Sequence, residues 1–173
     1  MRILAARGFP PIAAPDARLL ILGSLPGRAS LAAHQYYAQP RNAFWRIMGE
    51  LFGAGPDVPY DERAERLRAS GIALWDVCKA AVRPGSLDAS IDLETVVTND
   101  FEPFFRAHPR IAHVCVNGGT AHRLYLRRVQ PILPDRLPAL PLHLLPSTSP
   151  AHASLRFAQK LERWRVLENL RAT

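Results

Sequence analysis

Three polar residues in this chain sit where they could do chemistry: Asn42, Asp76 and Asn117. An amide is a poor base. Its carbonyl oxygen can nonetheless accept from a water and aim it at an electrophilic carbon, while its NH₂ donates elsewhere. Asn42 lies in Tyr36-Tyr37-Ala38-Gln39-Pro40-Arg41-Asn42-Ala43-Phe44-Trp45, just ahead of Phe44, Ile47, Met48 and Leu51, which recur at helical spacing. Asn is also a favoured helix N-cap, and on local pattern alone the cap is the better reading. Asp76 could accept from an N–H of a ligand, or it could be a solvated strand end or a helix cap. Asn117, before Gly118-Gly119, could wall a pocket or simply order a tight turn.

Two loops could hold oxygens. Gly23-Ser24-Leu25-Pro26-Gly27, followed by Ser30, comes straight after an apolar run. Its glycines allow close backbone approach, and its N–H groups could hold an oxygen or phosphate. A plain strand-to-helix turn explains the same residues. No Gly-Lys-Ser/Thr follows, so it is not a P-loop. The second loop, Pro146-Ser147-Thr148-Ser149-Pro150-Ala151-His152, is rich in hydroxyls. Alone it reads as an ordinary loop.

The elements that must position these residues are legible. Four short apolar runs, Arg18–Gly23, Ile72–Val77, Ile111–Asn117 and Pro141–Leu145, suit parallel strands covered on both faces. Helical patterns fall between them: behind Asn42, over Asp61–Ser70 up to Gly71, from a capping-box-like Asn99 and Glu102 through Phe104 and Phe105, over Ala121–Val129, and from about Ser154 to Leu170. This alternation predicts an α/β sandwich with a mostly parallel sheet, in one domain over residues 1–173. Ligands in such sheets bind beyond the carboxyl ends of the strands. That rule selects Gly23–Gly27, Asp76–Lys79, Asn117–Gly119 and Pro146–Pro150.

Bulk properties narrow the class. The chain has 173 residues, 48% hydrophobic and 21% charged, which suits a globular domain with a full core. It holds no apolar run long enough to span a bilayer, and its start from Met1 to Arg7 is too short and too soon charged for a secretory signal. A cytosolic location and no membrane partner are expected. Cys78 and Cys115 make no disulfide framework, and no metal-ligand pattern is present. No metal and no cofactor are expected. A formal net charge of +7 fits a polyanionic partner and an arginine-rich proteome equally well.

In register along the chain, GSLPGRAS at 23–30, YYAQPRNAFW at 36–45, LWDVC at 74–78, RPGSLDASI at 83–91, VNGG at 116–119 and LPSTSPAHA at 145–153 resemble the uracil-DNA glycosylase superfamily, nearest its hypoxanthine-DNA (deoxyinosine) branch. The resemblance implies a three-layer α/β/α fold with a central four-stranded parallel sheet and a flipped base lodged at the strand ends without a cofactor. It implies that Asn42 is the catalytic residue. Gly23, Ser24, Leu25, Tyr37, Asp76 and Asn117 would form the base pocket, with Tyr37 as the aromatic shelf and Tyr36 competing for that role. Pro26, Gly27, Ser30, Ser147, Thr148, Ser149 and His152 would contact DNA, with His152 or Leu155 as the wedge. Ser24 and Leu145 depart from the uracil-type pattern, which carries an amide or acid at the first position and a histidine at the second. Both departures favour hypoxanthine over uracil.

The expected function is therefore a monofunctional DNA glycosylase, acting as a monomer on DNA that contains a deaminated base and leaving an abasic site. A catalytically inactive damaged-DNA-binding module of the same fold is the alternative. A small α/β hydrolase is disfavoured because Gly-x-Ser-x-Gly is absent. Arg123, Arg127, Arg128, Arg156 and Lys160 are read as DNA footprint or solvated helix face, and His113, His143, Trp45 and Trp164 as core. Asp88 is read as the residue that orders a turn bracing the site.

Overall fold

A computed structural model describes residues 4–173. Residues 1–3, part of the start considered above, lie outside the described residues. The four apolar runs form β2 (Leu19–Gly23), β3 (Ile72–Asp76), β6 (His113–Asn117) and β7 (Leu142–Leu145). They pair in parallel in the order β3-β2-β6-β7. Strand β2 is central and wholly buried, which is why it reads as an unbroken apolar run.

Side-chain alternation along the sheet makes the layers. Leu20, Leu22, Ala73, Val114 and Val116 face α4 (Phe101–Ala107) and α5 (Gly119–Leu124), meeting Phe101, Phe104, Phe105 and Leu124. Leu19, Ile21, Ile72, Leu74 and Cys115 face the other way. They meet Phe44, Ile47 and Met48 of α2 (Phe44–Phe52), Leu67 of α3 (Tyr60–Ala69), Trp164 of α6 (Phe157–Trp164) and Leu167 of α7 (Val166–Leu170). The result is the expected α/β/α arrangement. Trp45 and Trp164 are core as read. Among the described residues no helix is long and apolar enough to cross a membrane.

Several expectations are corrected. Asn99 caps nothing: α4 begins after Asp100, and the Asn99 amide donates to the Asp76 carbonyl at 2.8 Å. Glu102 pairs outward with Arg106 and Arg136 instead. The last helix breaks at Arg165 into α6 and α7, and α5 runs on as a π-helical turn over Tyr125–Val129. His113, at the start of β6, and His143, on edge strand β7, are only half-buried. They bond each other at 3.2 Å, and His113 also meets the Thr173 hydroxyl.

Two features are additional to the predicted elements. The six-residue helix α1 (Arg28–Ala33) is too short to show a periodic stripe. A small antiparallel sheet of β1 (Ala6–Arg7), β4 (Cys78–Ala81) and β5 (Val97–Thr98) is built of strands too brief to alternate visibly. Strand β4 follows β3 after one residue, and this directs the loop at 82–90 back over the end of β2.

Candidate active site

The carboxyl ends of β2, β3 and β6 open into a cavity of about 730 Å³. Its lining gathers all fourteen residues singled out above: Gly23, Ser24, Leu25, Pro26, Gly27, Ser30, Tyr37, Asn42, Asp76, Asn117, Ser147, Thr148, Ser149 and His152. They come from segments up to 129 residues apart (23 to 152), and the strand ends bring them together.

Gly23, Asp76 and Tyr37 make the floor. A Cβ at Gly23 would stand 2.5 Å from Asp76 Oδ1 and 2.7 Å from the Tyr37 hydroxyl, so only glycine lets these two groups approach the strand. Asp76 is 4% exposed, and its Oδ2 has no hydrogen-bond partner; nor has the buried Tyr37 hydroxyl. Burial pushes the Asp76 carboxyl up to about 7, with the Asp88 carboxylate adding and the Arg83 guanidinium opposing. Burial and the Asp76 charge also raise the Tyr37 phenol. Unpartnered polar atoms at a cavity floor are open to a ligand's polar edge.

The two adjacent tyrosines diverge. Tyr36 is core: its hydroxyl donates to the Pro10 carbonyl at 2.8 Å, and its own carbonyl accepts from the Trp45 indole at 2.7 Å. Tyr37 has φ of +53°, a conformation unusual for a bulky residue, and stacks on Phe44 with ring centroids 4.1 Å apart. That stacking holds its ring upright beside the cavity.

Asn42 stands two residues before α2. Its Oδ1 accepts the Phe44 N–H at 2.9 Å, a turn just ahead of the helix, while the side chain lines the cavity; the N-cap position belongs to Ala43. The expected N-cap is thus corrected by one residue, and Asn42 keeps its cavity position. The next residue, Ala43, donates its N–H to the Thr148 carbonyl at 3.0 Å. Thr148 is itself clasped by Asn117, whose amide gives it one bond from Nδ2 and one to Oδ1.

The hydroxyl loop differs from expectation at two points. Thr148 is 1% exposed, with its hydroxyl and N–H both bonded to Asn117, so it holds the loop from inside instead of facing DNA. Lys160, read as footprint, is 5% exposed and donates to the Ser149 carbonyl at 3.2 Å. Ser147 and Ser149 remain half-buried at the cavity; each hydroxyl oxygen accepts a loop N–H. Gly118, at φ +92°, lets this loop pack close: a Cβ there would lie 3.0 Å from Ser147 Cβ. Ser30 is buried and accepts the Ala38 N–H at 3.1 Å, tying α1 to the tyrosine segment.

A further group lies at the β2 loop. The Ser24 hydroxyl donates to Asp88 Oδ1 at 2.6 Å. Arg83, 7% exposed, donates to the carbonyls of Leu25, Pro26 and Gly85. Pro26 is buried by this clamp, while exposed Arg28 lines the cavity and donates its backbone N–H to Ser86 Oγ at 3.1 Å.

The family model described as the uracil DNA glycosylase superfamily matches residues 10–171, a span that holds every one of these groups. The chain belongs to the uracil DNA glycosylase superfamily. Two proteins called hypoxanthine DNA glycosylase resemble this glycosylase. The one from Methanosarcina acetivorans is 40% identical over 116 residues, covering 66% of this chain and 72% of that protein. The one from Methanosarcina barkeri is 41% identical over 113 residues, covering 65% and 70%. The solution NMR structure of a candidate uracil DNA glycosylase from Methanosarcina acetivorans superposes with a TM-score of 0.78 at 32% identity, over 96% of this chain and 99% of that one.

The glycosylase framework explains what the sequence reading missed. Arg83 and Arg28 carried no local signal beyond lying in the RPGSLDASI and GSLPGRAS stretches, because their partners are about sixty residues away. Arg123, Arg127, Arg128 and Arg156 are exposed, as a footprint or a solvated face both require. Ser24 gives its proton to Asp88 and has no histidine bonded to it, so it is not an activated hydrolase nucleophile.

Proposed function

We propose that this glycosylase excises hypoxanthine from deoxyinosine in DNA, hydrolysing the N-glycosidic bond and leaving an abasic site. The observation that carries the reading is that Asn42 shares one cavity with the unpartnered floor atoms of Asp76 and Tyr37. Its likeness to two hypoxanthine DNA glycosylases supports that substrate.

In this reading the target nucleotide leaves the stack and enters the cavity. The Tyr37 ring, braced by Phe44, offers the base an aromatic shelf, a contribution of roughly 1–3 kcal/mol. The Asp76 oxygen that lacks a partner receives the N1–H of the purine lactam. Asn42 Oδ1 has two lone pairs, one taken by Phe44 N–H and one free to orient a water toward C1′. As the C1′–N9 bond lengthens, positive charge builds on the sugar and negative charge on the leaving purine. Gly27, Ser147, Ser149 and His152 lie along the cavity where flanking phosphates would rest. Uracil is a slower substrate, because Leu145 offers its oxygen no donor. No lysine lines the cavity among the described residues, which supports hydrolysis without a lyase step. We propose that the enzyme works as a monomer in the cytosol.

The test is release of free base from oligonucleotides carrying one deoxyinosine, deoxyuridine or deoxyxanthosine, single- and double-stranded, alongside free inosine. Deoxyinosine in DNA should be cleaved fastest and free inosine not at all. Binding to the lesion without any turnover, unchanged in Asn42→Ala, would instead mark a damaged-DNA-binding module.

A further inference from the structure

Hydrolysis at C1′ releases a proton from the attacking water, and Asn42 cannot hold it, since an amide is not a base at neutral pH. Three lining groups can: Asp76, His152 and Asp88. Asp76 lies at the cavity floor against Gly23, where the proposed reading puts the base edge, and is almost fully enclosed. His152 is unanchored, its ring meeting only the Ser154 hydroxyl at 3.4 Å. Asp88 differs from both. Its Oδ1 is held by Ser24 at 2.6 Å, and its second oxygen takes no hydrogen bond among the described residues. The turn that carries it is pinned to the β2 loop by buried Arg83.

We infer that Asp88 is a catalytic residue of this glycosylase, the base that accepts the proton of the water positioned by Asn42. This rests on the function proposed above. Asp88 comes from the 3₁₀ turn Asp88–Ser90, far in sequence from the loop it serves, so it supplies a carboxylate that the Gly23–Gly27 segment lacks. In the step, the water oxygen bonds C1′ and the C1′–N9 electron pair departs with hypoxanthine as its anion. The water proton passes to the free oxygen of Asp88. The purine anion takes a proton from solvent, and Asp88 returns its own to solvent. Before transfer, the carboxylate also faces the positive sugar.

The groups facing Asp88 suit a base. Ser24 comes from the β2 loop, Asp76 from the end of β3, Cys78 and Arg83 from β4 and the loop after it, Arg123 from α5, and Tyr37 from the segment before α2. Burial raises the Asp88 carboxyl above its ordinary value, while Ser24, Arg83 and Arg123 oppose the rise.

Asp88→Asn separates a base from a brace, because the new amide oxygen still accepts from Ser24. Single-turnover excision of hypoxanthine should fall by about 10²-fold or more, and the acid limb of the rate–pH profile should move, because the Asp88 ionisation drops out and only that of Asp76 remains. Binding to duplex carrying a non-hydrolysable deoxyinosine analogue should stay within about threefold of wild type, as expected when only a transition-state contact is lost. Asp88→Asn within about fivefold of wild type, on that same scale, with its acid limb unmoved, overturns the inference. Should Asp88→Asn fold poorly, Ser24→Ala decides: losing the hydroxyl must move the acid limb to higher pH, and an unmoved limb overturns it. If Asn42→Ala abolishes excision while Asp88→Asn does not, the proposed function stands and this inference falls. If wild type releases no hypoxanthine, both fall.

Discussion

The Asn117 amide grips Thr148 at both ends: its Nδ2 donates to the Thr148 hydroxyl at 2.9 Å, and its Oδ1 accepts the Thr148 N–H at 2.9 Å. The Thr148 carbonyl in turn receives the N–H of Ala43, the neighbour of Asn42. The end of β6 thereby places the amide at residue 42 through a chain of three bonds. Asn117→Ala leaves a buried N–H without a partner and should cost about 1–3 kcal/mol in urea unfolding. It should lower the excision rate more than substrate binding. Thr148→Val keeps the N–H bond and should cost less on both counts; equal losses in the two variants would contradict this ordering.

Asn42 orders the turn into α2 and faces the cavity, and substitution separates the two duties. A serine hydroxyl can make the same turn bond to the Phe44 N–H, so Asn42→Ser should keep stability near wild type, while Asn42→Ala should lose about 1 kcal/mol. Both should lose about 10²-fold or more in single-turnover rate, because neither orients water as the amide does. Melting curves and rates on the same preparations check this. An active Asn42→Ser enzyme would reduce the residue to a turn former.

The floor carboxylate makes stability depend on pH. With its carboxyl raised to about 7, folded Asp76 keeps a proton that the unfolded chain releases near pH ~4. The folded state therefore binds more protons between these values, and this residue's contribution to stability falls as pH rises through that window. Asp76→Asn has no such penalty. It should gain on wild type from pH 4.5 to 7.5 by an amount on the order of a few kcal/mol, then hold that lead. Parallel stability curves for the two proteins would refute the buried charge.

At Gly23 the limit is steric. Gly23→Ala would force a methyl against Asp76 Oδ1 and the Tyr37 hydroxyl at 2.5 and 2.7 Å. Overpacking of that kind costs about 1–3 kcal/mol. Because the groups displaced are the floor of the cavity, affinity for a deoxyinosine duplex should drop together with the melting temperature. Loss of stability with unchanged affinity would mean that the floor does not touch the base.

The sheet was legible along the chain because β2, β3 and β6 are almost wholly buried and read as apolar runs ended by Gly, Asp or Asn, whereas edge strand β7, expected to be covered on both faces, leaves Leu144 exposed. Those runs also predicted which loops converge, since parallel strands put all their carboxyl ends on one side. The helix stripes were readable for the same reason of periodic burial. Side-chain direction inside the loops has no period, and there the fold alone chose. It sent the Tyr36 hydroxyl to the Pro10 carbonyl and left the Tyr37 hydroxyl unpartnered at the cavity floor, although the two are adjacent. It drew Thr148 and Lys160 inward, and it brought Asp88 to Ser24 across 64 residues. Such choices depend on contacts between distant segments, whose energies exist only once the layers have packed.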